Sequence, residues 1–274
     1  MKPTLLCITA LCLSGVAHAG QSIPVDVPEP SGIDIDRQGD RIFVADDGGE
    51  VWVFDRDYAP IDTFDIGGDL EGIAYLPFLD QLLVAAEGDE QLLLVDPDSG
   101  DLVDVFDIPR DINGQPILAA GGNGIEALTL AGLRIFVANQ SFDPSDTEDG
   151  SILVELGFTP AGTLEILRAH PLPMLDVAGS FYSAAHNELV LLSDSDNQAY
   201  RIKLRAIDRL DPGMAIPADL FRSFWVPGDN QEGLCVVDGD LIIAQDSGDL
   251  YDAGSLEWLM SPSGQREVAL EWGY

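Results

Sequence analysis

Residues 71–96, EGIAYLPFLDQLLVAAEGDEQLLLVD, contain the pattern that decides the fold, and four variants of it recur along the chain. Each copy has a leading polar or small residue, an apolar run, a short polar turn, a second apolar run and a trailing acid or amide. Short apolar runs bounded by polar turns are typical of β-strands joined as hairpins. The chain is therefore predicted to consist of five related β-sheet units.

Each repeat is expected to present one pair of residues at the same edge of its sheet. In an antiparallel hairpin, the residue that opens the first strand lies beside the residue that closes the second. The five pairs are Ser31/Asp47, Glu71/Glu87, Glu126/Gln140, Ala178/Asp194 and Glu232/Asp246. The leading residues are 40, 55, 52 and 54 positions apart, a spacing typical of four-stranded propeller blades. Radial packing of such blades places all five pairs around one axis.

We predict an all-β fold, a β-propeller of five four-stranded blades, with six blades as the alternative if the insertions contain an irregular one. Residues 22–28 are expected to form an edge strand or a strand that closes the last blade. In the fifth repeat, residues 256–260 and 267–272 are expected to be the third and fourth strands, and residues 246–255 an insertion at the acidic edge. Residues 20–274 are thus predicted to form a single propeller domain.

The first 19 residues have the three parts of a secretory signal peptide. Lys2 provides the positive start, residues 5–16 the apolar core, and Ala17-His18-Ala19 the small-residue cleavage site. The apolar core is too short to span a bilayer. We therefore expect residues 1–19 to be removed, no transmembrane segment to follow, and the mature protein to be periplasmic or secreted.

The charge balance limits the partners. The chain has 48 Asp and Glu residues against 13 Lys and Arg, a formal net charge of −35. Nucleic acid and anionic membrane surfaces carry charge of the same sign, which makes them poor partners. Metal cations, or a small or cationic ligand at the acidic mouth, are the expected partners. A hydrophobic content of 46% is sufficient for a core, so the acidity does not predict disorder.

The paired positions offer oxygen atoms suited to a hard cation. The candidate metal ligands are Asp47, Glu71, Glu87, Glu126, Gln140, Asp194, Glu232 and Asp246. Carboxylates that converge on one axis repel one another unless a cation or protons lie among them. Calcium binds six to eight oxygens, and the shortage of cysteine and histidine disfavours zinc and copper. The sequence therefore predicts Ca²⁺; alternatively, the leading acids cap the inner strands by accepting hydrogen bonds from turn amides.

Several repeat openings resemble those of a known family. Ser31-Gly32-Ile33, Glu71-Gly72-Ile73-Ala74-Tyr75, Glu126-Ala127-Leu128 and Glu232-Gly233-Leu234, with the acids that close the second strands, resemble the SdiA-regulated (YjiK-like) family of exported β-propellers. The resemblance spans residues 29–260 and implies a calcium-binding propeller. The chain is also similar to phytase-like and esterase-like propellers, which use acid-bound Ca²⁺. It departs from the pattern at Ala178-Gly179-Ser180, where one ligand position is lost.

Three functions remain open at this point. The first is a calcium-binding module with an acidic central mouth, and the second is a scaffold in which calcium is purely structural. The third is a calcium-dependent hydrolase of phosphate esters or lactones, with Glu71, Glu87 or Glu232 as the base. His170 and His186 are expected in surface turns, which leaves no Ser–His triad.

Overall fold

Short β-strands and tight turns form nearly all of the secondary structure in residues 20–36, 40–118, 124–140, 150–228 and 230–260, the residues that this computed structural model describes. The strands are β1 (Gln21–Pro24), β2 (Pro30–Asp36), β3 (Arg41–Asp46), β4 (Glu50–Phe54), β5 (Pro60–Asp65), β6 (Leu70–Leu76), β7 (Gln81–Ala86), β8 (Gln91–Val95), β9 (Leu102–Asp107), β10 (Asp111–Ile112), β11 (Gln115–Pro116), β12 (Ile125–Ala131), β13 (Arg134–Asn139), β14 (Ile152–Phe158), β15 (Leu164–Pro171), β16 (Val177–Ser183), β17 (Glu188–Ser193), β18 (Gln198–Lys203), β19 (Arg222–Trp225), β20 (Gln231–Val237), β21 (Asp240–Gln245) and β22 (Asp249–Ser255). The helical segments are α1 (Leu204–Ile207), the 3-10 turn Ala218–Leu220 and α2 (Leu256–Leu259).

Five antiparallel sheets of four strands each form the propeller, and β10 and β11 pair with each other in a separate two-stranded sheet. Blade one is β2-β3-β4-β5, blade two β6-β7-β8-β9, blade three β12-β13-β14-β15, blade four β16-β17-β18-β19, and blade five β20-β21-β22 with β1 at its outer edge. Each first strand lies beside the first strand of the next blade, and β20 lies beside β2. The predicted β-propeller of five four-stranded blades is therefore confirmed.

Apolar side chains fill the five interfaces between neighbouring blades. Leu83 of blade two packs in one cluster with Leu128 of blade three, and Ile42 of blade one packs with Leu250 of blade five. Complete burial of one such side chain stabilises the fold by about 1.5–3 kcal/mol. Cys235, the single cysteine in the described part of the chain, is buried and forms no disulfide. Packing between sheets, without disulfides among these residues, therefore holds the described ring together.

The strand that completes blade five comes from the N-terminal side of the chain. β1 pairs with β22, with Gln21 opposite Asp252 and Pro24 opposite Asp249, which confirms the closing strand expected in residues 22–28. The third strand predicted at residues 256–260 was wrong, because β22 takes this place and α2 follows it. The predicted fourth strand at residues 267–272 lies outside the described residues.

The predicted insertion over residues 246–255 was also wrong, since most of it is β22. This strand contains Asp249, Asp252 and Gly254, residue types that are depleted in strands and typical of turns. Only Leu250, Ala253 and Gly254 of the strand are buried. Pairing with strands on both sides therefore determines its conformation.

Every first strand carries a β-bulge at the edge where the predicted pairs lie. The register with the second strand shifts by one residue near the start of β2, β6, β12, β16 and β20. The shifted segments contain the leading residues Ser31, Glu71, Glu126, Ala178 and Glu232. A bulge changes the direction of a side chain and increases the local twist. The leading residues are therefore released from the regular alternation of their strands.

Glycines that follow the leading residues permit the blades to approach closely at the axis. A Cβ on Gly72 would lie 2.5 Å from the backbone nitrogen of Leu128, and one on Gly233 would lie 2.5 Å from the carbonyl oxygen of Ser31. Glycine inside a strand often marks such an approach of another backbone. These glycines therefore set the narrow spacing of the first strands around the axis.

Replacement of Gly72 by alanine is expected to destabilise the protein by about 1–3 kcal/mol, the usual cost of overpacking. For a domain of this size, the melting temperature should fall by roughly 3–10 °C, which thermal unfolding followed by circular dichroism would measure. Gly88→Ala is the matched control, because a Cβ there lies 3.7 Å from the nearest atom, Cβ of Asp69. Equal effects of the two substitutions would contradict this explanation.

Candidate metal centre

The residue that follows each second strand is held by the same backbone hydrogen bond in all five blades. Its N–H donates to the carbonyl oxygen of the residue two positions before the leading residue of the same blade. These donor–acceptor pairs are Asp47–Glu29 (3.1 Å), Glu87–Asp69 (2.9 Å), Gln140–Gly124 (3.2 Å), Asp194–Asp176 (3.1 Å) and Asp246–Asn230 (3.1 Å). The leading and trailing residues of each blade therefore lie at the same edge of the ring, as the repeat pattern predicts.

Acids of blades one to three converge into one tight cluster. Glu71, Glu87 and Glu126 are buried, with 9%, 5% and 8% of their surface exposed. One carboxylate oxygen from each lies within 4.8 Å of the other two. Oxygens of Asp47, Asp69 and Glu71 meet the same criterion. Glu71 belongs to both groups, so the two groups form one continuous acidic centre.

Asp69 was missed by the sequence analysis, which considered only the leading and trailing residues. It lies two positions before Glu71, and Asp176 occupies the same position before Ala178. The sequence did contain a signal for it, because the residue two positions before the leading residue is polar in four of the five blades: Glu29, Asp69, Asp176 and Asn230. A third ring position per blade was therefore readable from the repeat alignment.

The tight cluster contains carboxyl groups that retain protons at neutral pH. Burial, the charges of Glu71 and Glu87, and hydrogen bonds to both raise the pKa of Glu126 to about 11. Burial and the charges of Asp47, Glu87 and Asp69 raise the pKa of Glu71 to about 9, against the opposing effect of its hydrogen bond with Glu126. A hydrogen bond with Asp69, with burial as the second cause, raises the pKa of Asp47 to about 6.

No positive side chain compensates this cluster within the described residues. The ion pairs of the described arginines and of Lys203 all involve acids outside the cluster. Buried like charges at this separation favour either bound protons or a bound cation. The cluster therefore has the electrostatic character of a cation site.

Acids of blades four and five are arranged more loosely. Burial and the charges of Asp194, Asp246, Asp176 and Asp47 raise the pKa of Glu232 to about 7, so Glu232 experiences the field of both halves of the ring. Burial and the charge of Asp194 also raise the pKa of Asp176. Among the residues with described positions, no three of these acids meet the 4.8 Å criterion. The structure therefore gathers the predicted ligands of blades one to three more closely than the others.

Backbone amides cap two trailing acids, whereas the capping alternative concerned the leading acids. The backbone N–H of Gly124 donates to Oε1 of Glu87 at 2.7 Å, and that of Gln231 donates to Oδ1 of Asp194 at 2.7 Å. Each bond joins one blade to the next. Within the described chain, no backbone N–H donates in this way to the leading residues Glu71, Glu126 and Glu232. Capping therefore accounts for part of the ring but not for its buried leading acids.

The donor set fits calcium. Oxygens that bind one Ca²⁺ at about 2.4 Å lie at most about 4.8 Å apart, which is the separation that both acidic groups satisfy. Deeper on the axis, a cavity of about 10 Å³ is lined by residues of all five blades, among them Gly72, Glu126 and Gly233. Since such a volume barely holds one water, this cavity is too small for a hydrated ion.

His170 and His186, the two histidines in the described part of the chain, lie apart from this centre. His186 lies in the turn between β16 and β17, as predicted, and its Nδ1 is 2.9 Å from Oγ of Ser183 in the same hairpin. The prediction for His170 was wrong, because this residue lies in β15 with 1% of its surface exposed. Its Nδ1 is 2.8 Å from the carbonyl oxygen of Met214. The connection between β18 and β19 therefore covers a strand position that resembled a turn in the sequence.

Comparison with protein families assigns the chain. A family model described as "Phytase-like: Esterase-like activity of phytase" matches residues 26–247. This range contains all five leading and trailing pairs. The chain belongs to this phytase-like family. The resemblance to phytase-like propellers is thereby confirmed, whereas membership of the SdiA-regulated family stays a prediction.

Solved structures share the fold of this phytase-like propeller. A putative gluconolactonase is 15% identical with a TM-score of 0.51, and covers 88% of this chain and 83% of its own. A luciferin-regenerating enzyme is 9% identical with a TM-score of 0.51, and covers 87% of this chain and 96% of its own. A chain of a nidogen/laminin complex is 12% identical with a TM-score of 0.50, covering 79% and 72%. These identities establish the fold alone, and no curated protein sequence matches the chain.

Proposed function

We propose that this protein is an exported, calcium-binding β-propeller whose acidic mouth serves as a binding site. The observation that carries the proposal is the cluster of Glu71, Glu87 and Glu126, three buried acids with oxygens within 4.8 Å of one another. A buried group of this kind is unfavourable unless protons or a cation neutralise it. Calcium is the cation whose oxygen preference and coordination number suit this donor set.

Glu71, Glu87 and Glu126 would hold the ion, and Asp47 and Asp69 would lie beside it, because their oxygens approach Glu71 within the same limit. Calcium binding in the phytase-like family supports this assignment. When bound, the ion would supply positive charge and coordination positions open to an oxygen atom of a ligand. The protein's own part is to hold the carboxylates in place, through the bulges and the backbone hydrogen bonds at the strand ends.

The remaining predicted ligands would line the approach to the ion. Asp194, Glu232 and Asp246 belong to the looser blades four and five, and Gln140 is the trailing residue of blade three. A negative rim of this kind attracts metal cations and cationic ligands and repels anions. A small or cationic ligand at this mouth is therefore the partner that the arrangement favours.

Export is proposed from the sequence. The signal-like residues 1–19 lie outside the described residues, and β1 begins at Gln21, just after the expected cleavage site. Among the described helices, none has the length and apolar character needed to cross a bilayer. Mass spectrometry of protein recovered from the periplasm or medium would test this, with a mature N-terminus near Gly20 as the expected result.

Calcium is expected to bind the chelator-treated protein and to stabilise it. At a free concentration 100 times Kd, a ligand specific for the folded state contributes about 2.7 kcal/mol, or a rise in melting temperature of roughly 5–10 °C. Isothermal titration calorimetry with Ca²⁺ and Mg²⁺, combined with thermal unfolding, measures both quantities. Magnesium should bind more weakly, because it retains its waters and accepts fewer protein ligands. Absence of calcium binding would refute the proposed site.

A second candidate function is calcium-dependent hydrolysis of an ester or lactone. The family's description mentions esterase-like activity, and Asp47, exposed at the edge of the centre, has a pKa raised to about 6. Calcium would polarise the substrate oxygen, and a carboxylate such as Asp47 would accept a proton. Assays with p-nitrophenyl acetate, p-nitrophenyl phosphate and a γ-lactone distinguish the two functions. Turnover that requires calcium and is lost in Glu71→Gln would establish the enzyme, and absence of turnover would leave the binding module.

A further inference from the structure

Basic side chains of this acidic protein are concentrated at one cavity. Of the 13 Lys and Arg residues, Lys2, Arg37 and Arg266 lie outside the described residues, which leaves ten. Half of these ten line a single cavity of about 450 Å³, together with Glu188 and Asp219. The five basic residues are Arg201, Lys203, Arg205, Arg209 and Arg222. The local charge is therefore opposite in sign to that of the whole chain.

The strands of blade four place these residues on one face. Arg201 of β18 lies directly opposite Arg222 of β19, and Lys203 lies two residues further along β18. Since side chains two residues apart point to the same side of a strand, all three share a face. Lys203 also lies opposite Glu188 of β17. The connection that begins with α1 adds Arg205 and Arg209 beside this face.

The cavity lies at the end of blade four that is remote from the acidic centre. β18 begins at Gln198, opposite Ser193 at the acidic edge, and runs away from that edge toward Lys203. The basic cavity and the acidic centre therefore occupy opposite ends of the propeller. Binding of a ligand in the basic cavity therefore does not depend on calcium binding at the acidic centre.

Among the described residues, three of the five basic side chains in the cavity have no ion-pair partner. Nζ of Lys203 and Nη1 of Arg201 lie 2.9 Å and 3.6 Å from the carboxylate of Glu188. Arg205, Arg209 and Arg222 form no ion pair with any residue whose position is described.

The other described basic residues all have acidic partners. Each of Arg41, Arg56, Arg110, Arg134 and Arg168 forms at least one ion pair. Like charges directly opposite each other on neighbouring strands are destabilising, as with Arg201 and Arg222. The described residues alone therefore leave an excess of positive charge that an anion would neutralise.

We propose that this cavity binds a small ligand through a phosphate group. Guanidinium groups bind phosphate in a bidentate geometry, and several of them around one cavity suit a dianion. A volume of about 450 Å³ lies within the range of small-molecule sites. The net charge of −35 repels extended polyanions, which favours a small phosphorylated molecule over nucleic acid.

Titration of the mature protein with inorganic pyrophosphate tests this assignment. Calorimetry is performed in calcium-free buffer of low ionic strength, because pyrophosphate binds calcium. We expect saturable 1:1 binding that is weakened at least tenfold in the double variant Arg205→Gln/Arg209→Gln. Both arginines are exposed, so this variant should keep the melting temperature of the parent.

The control variant is Arg110→Gln, which removes a basic residue that lies elsewhere and pairs with Glu90. Its affinity for pyrophosphate should stay within twofold of the parent's. Cosedimentation with phosphatidylglycerol vesicles, against phosphatidylcholine vesicles, distinguishes a lipid headgroup from a free phosphorylated molecule. Binding to either probe that is lost in the double variant supports the phosphate site. Absence of binding to both probes, or equal binding by the double variant, overturns it.

Discussion

Replacing Glu71 and Glu126 together by glutamine is expected to raise the melting temperature of the calcium-free protein and to abolish its response to calcium. At pH 7 both glutamates are ionised in the unfolded chain, whereas burial and neighbouring acids raise their folded pKa values to about 9 and about 11. Folding without calcium must therefore add protons, at about 1.4 kcal/mol for each pH unit above the unfolded pKa. Glutamine needs no proton, so the rise at pH 7 should be on the order of 5 °C or more.

Thermal unfolding at pH 7 and at pH 4.5, with and without calcium, separates the two effects. The rise in melting temperature should nearly vanish at pH 4.5, because about half of these two glutamates are already protonated in the unfolded chain at that pH. Glu165→Gln is the matched control, because Glu165 is exposed on β15. Its replacement should change neither the melting temperature nor the response to calcium. A double variant that is less stable than the parent at pH 7, yet still stabilised by calcium, would show that these carboxylates make structural contacts instead.

The second large effect is a fall in the stability of the calcium-free protein as the pH rises. Glu71, Glu126, Glu232 and Asp47 all have folded pKa values above those of the unfolded chain, at about 9, 11, 7 and 6. Above about pH 4.5 the unfolded state therefore binds fewer protons than the folded state, and stability decreases with pH. The contributions of Asp47 and Glu232 should be lost by about pH 6 and pH 7, while those of Glu71 and Glu126 continue to weaken at higher pH.

Melting temperatures of the chelator-treated protein between pH 5 and pH 9 measure this slope, which should amount to several degrees per pH unit near neutrality. Calcium should reverse part of it, because it replaces the protons on the same carboxyl groups. Calorimetry at pH 7 in buffers of different ionisation enthalpy should accordingly detect protons released on calcium binding. A melting temperature that is constant or rises over this range would contradict the raised pKa values.

Much of the fold could be predicted from the sequence because the same pattern of apolar runs and polar turns occurs five times. The five copies predicted the number of blades, and the spacing of the leading residues predicted four strands in each blade, as the structure has them. Blade five was misassigned because β22 contains Asp249, Asp252 and Gly254. Such a strand is stabilised by the partners on its two sides, and a local pattern does not contain that information.

The candidate site was predicted less completely than the fold. Hairpin pairing correctly placed the paired residues at one edge, but the sequence pattern gave no indication of the bulges at Glu71 and Glu126. The sequence pattern also gave no measure of the distances between acids of different blades across the axis. The closer convergence of blades one to three depends on how neighbouring blades pack, a tertiary property. Asp69 was missed because only the leading and trailing positions of each repeat were compared, and Asp69 lies two residues before the leading Glu71.

The pairing of β1 with β22 has a consequence for folding. Gln21 and its partner Asp252 are separated by nearly the whole described chain, so this contact has a very high sequence separation and forms slowly. Until residues 249–255 have been synthesised, blade five offers β1 no edge to pair with, and the ring stays open. An open sheet edge is a template for association with another chain. Closure by β1 is therefore expected to be a late step, during which the acidic repulsion between molecules of this charge protects them from aggregation.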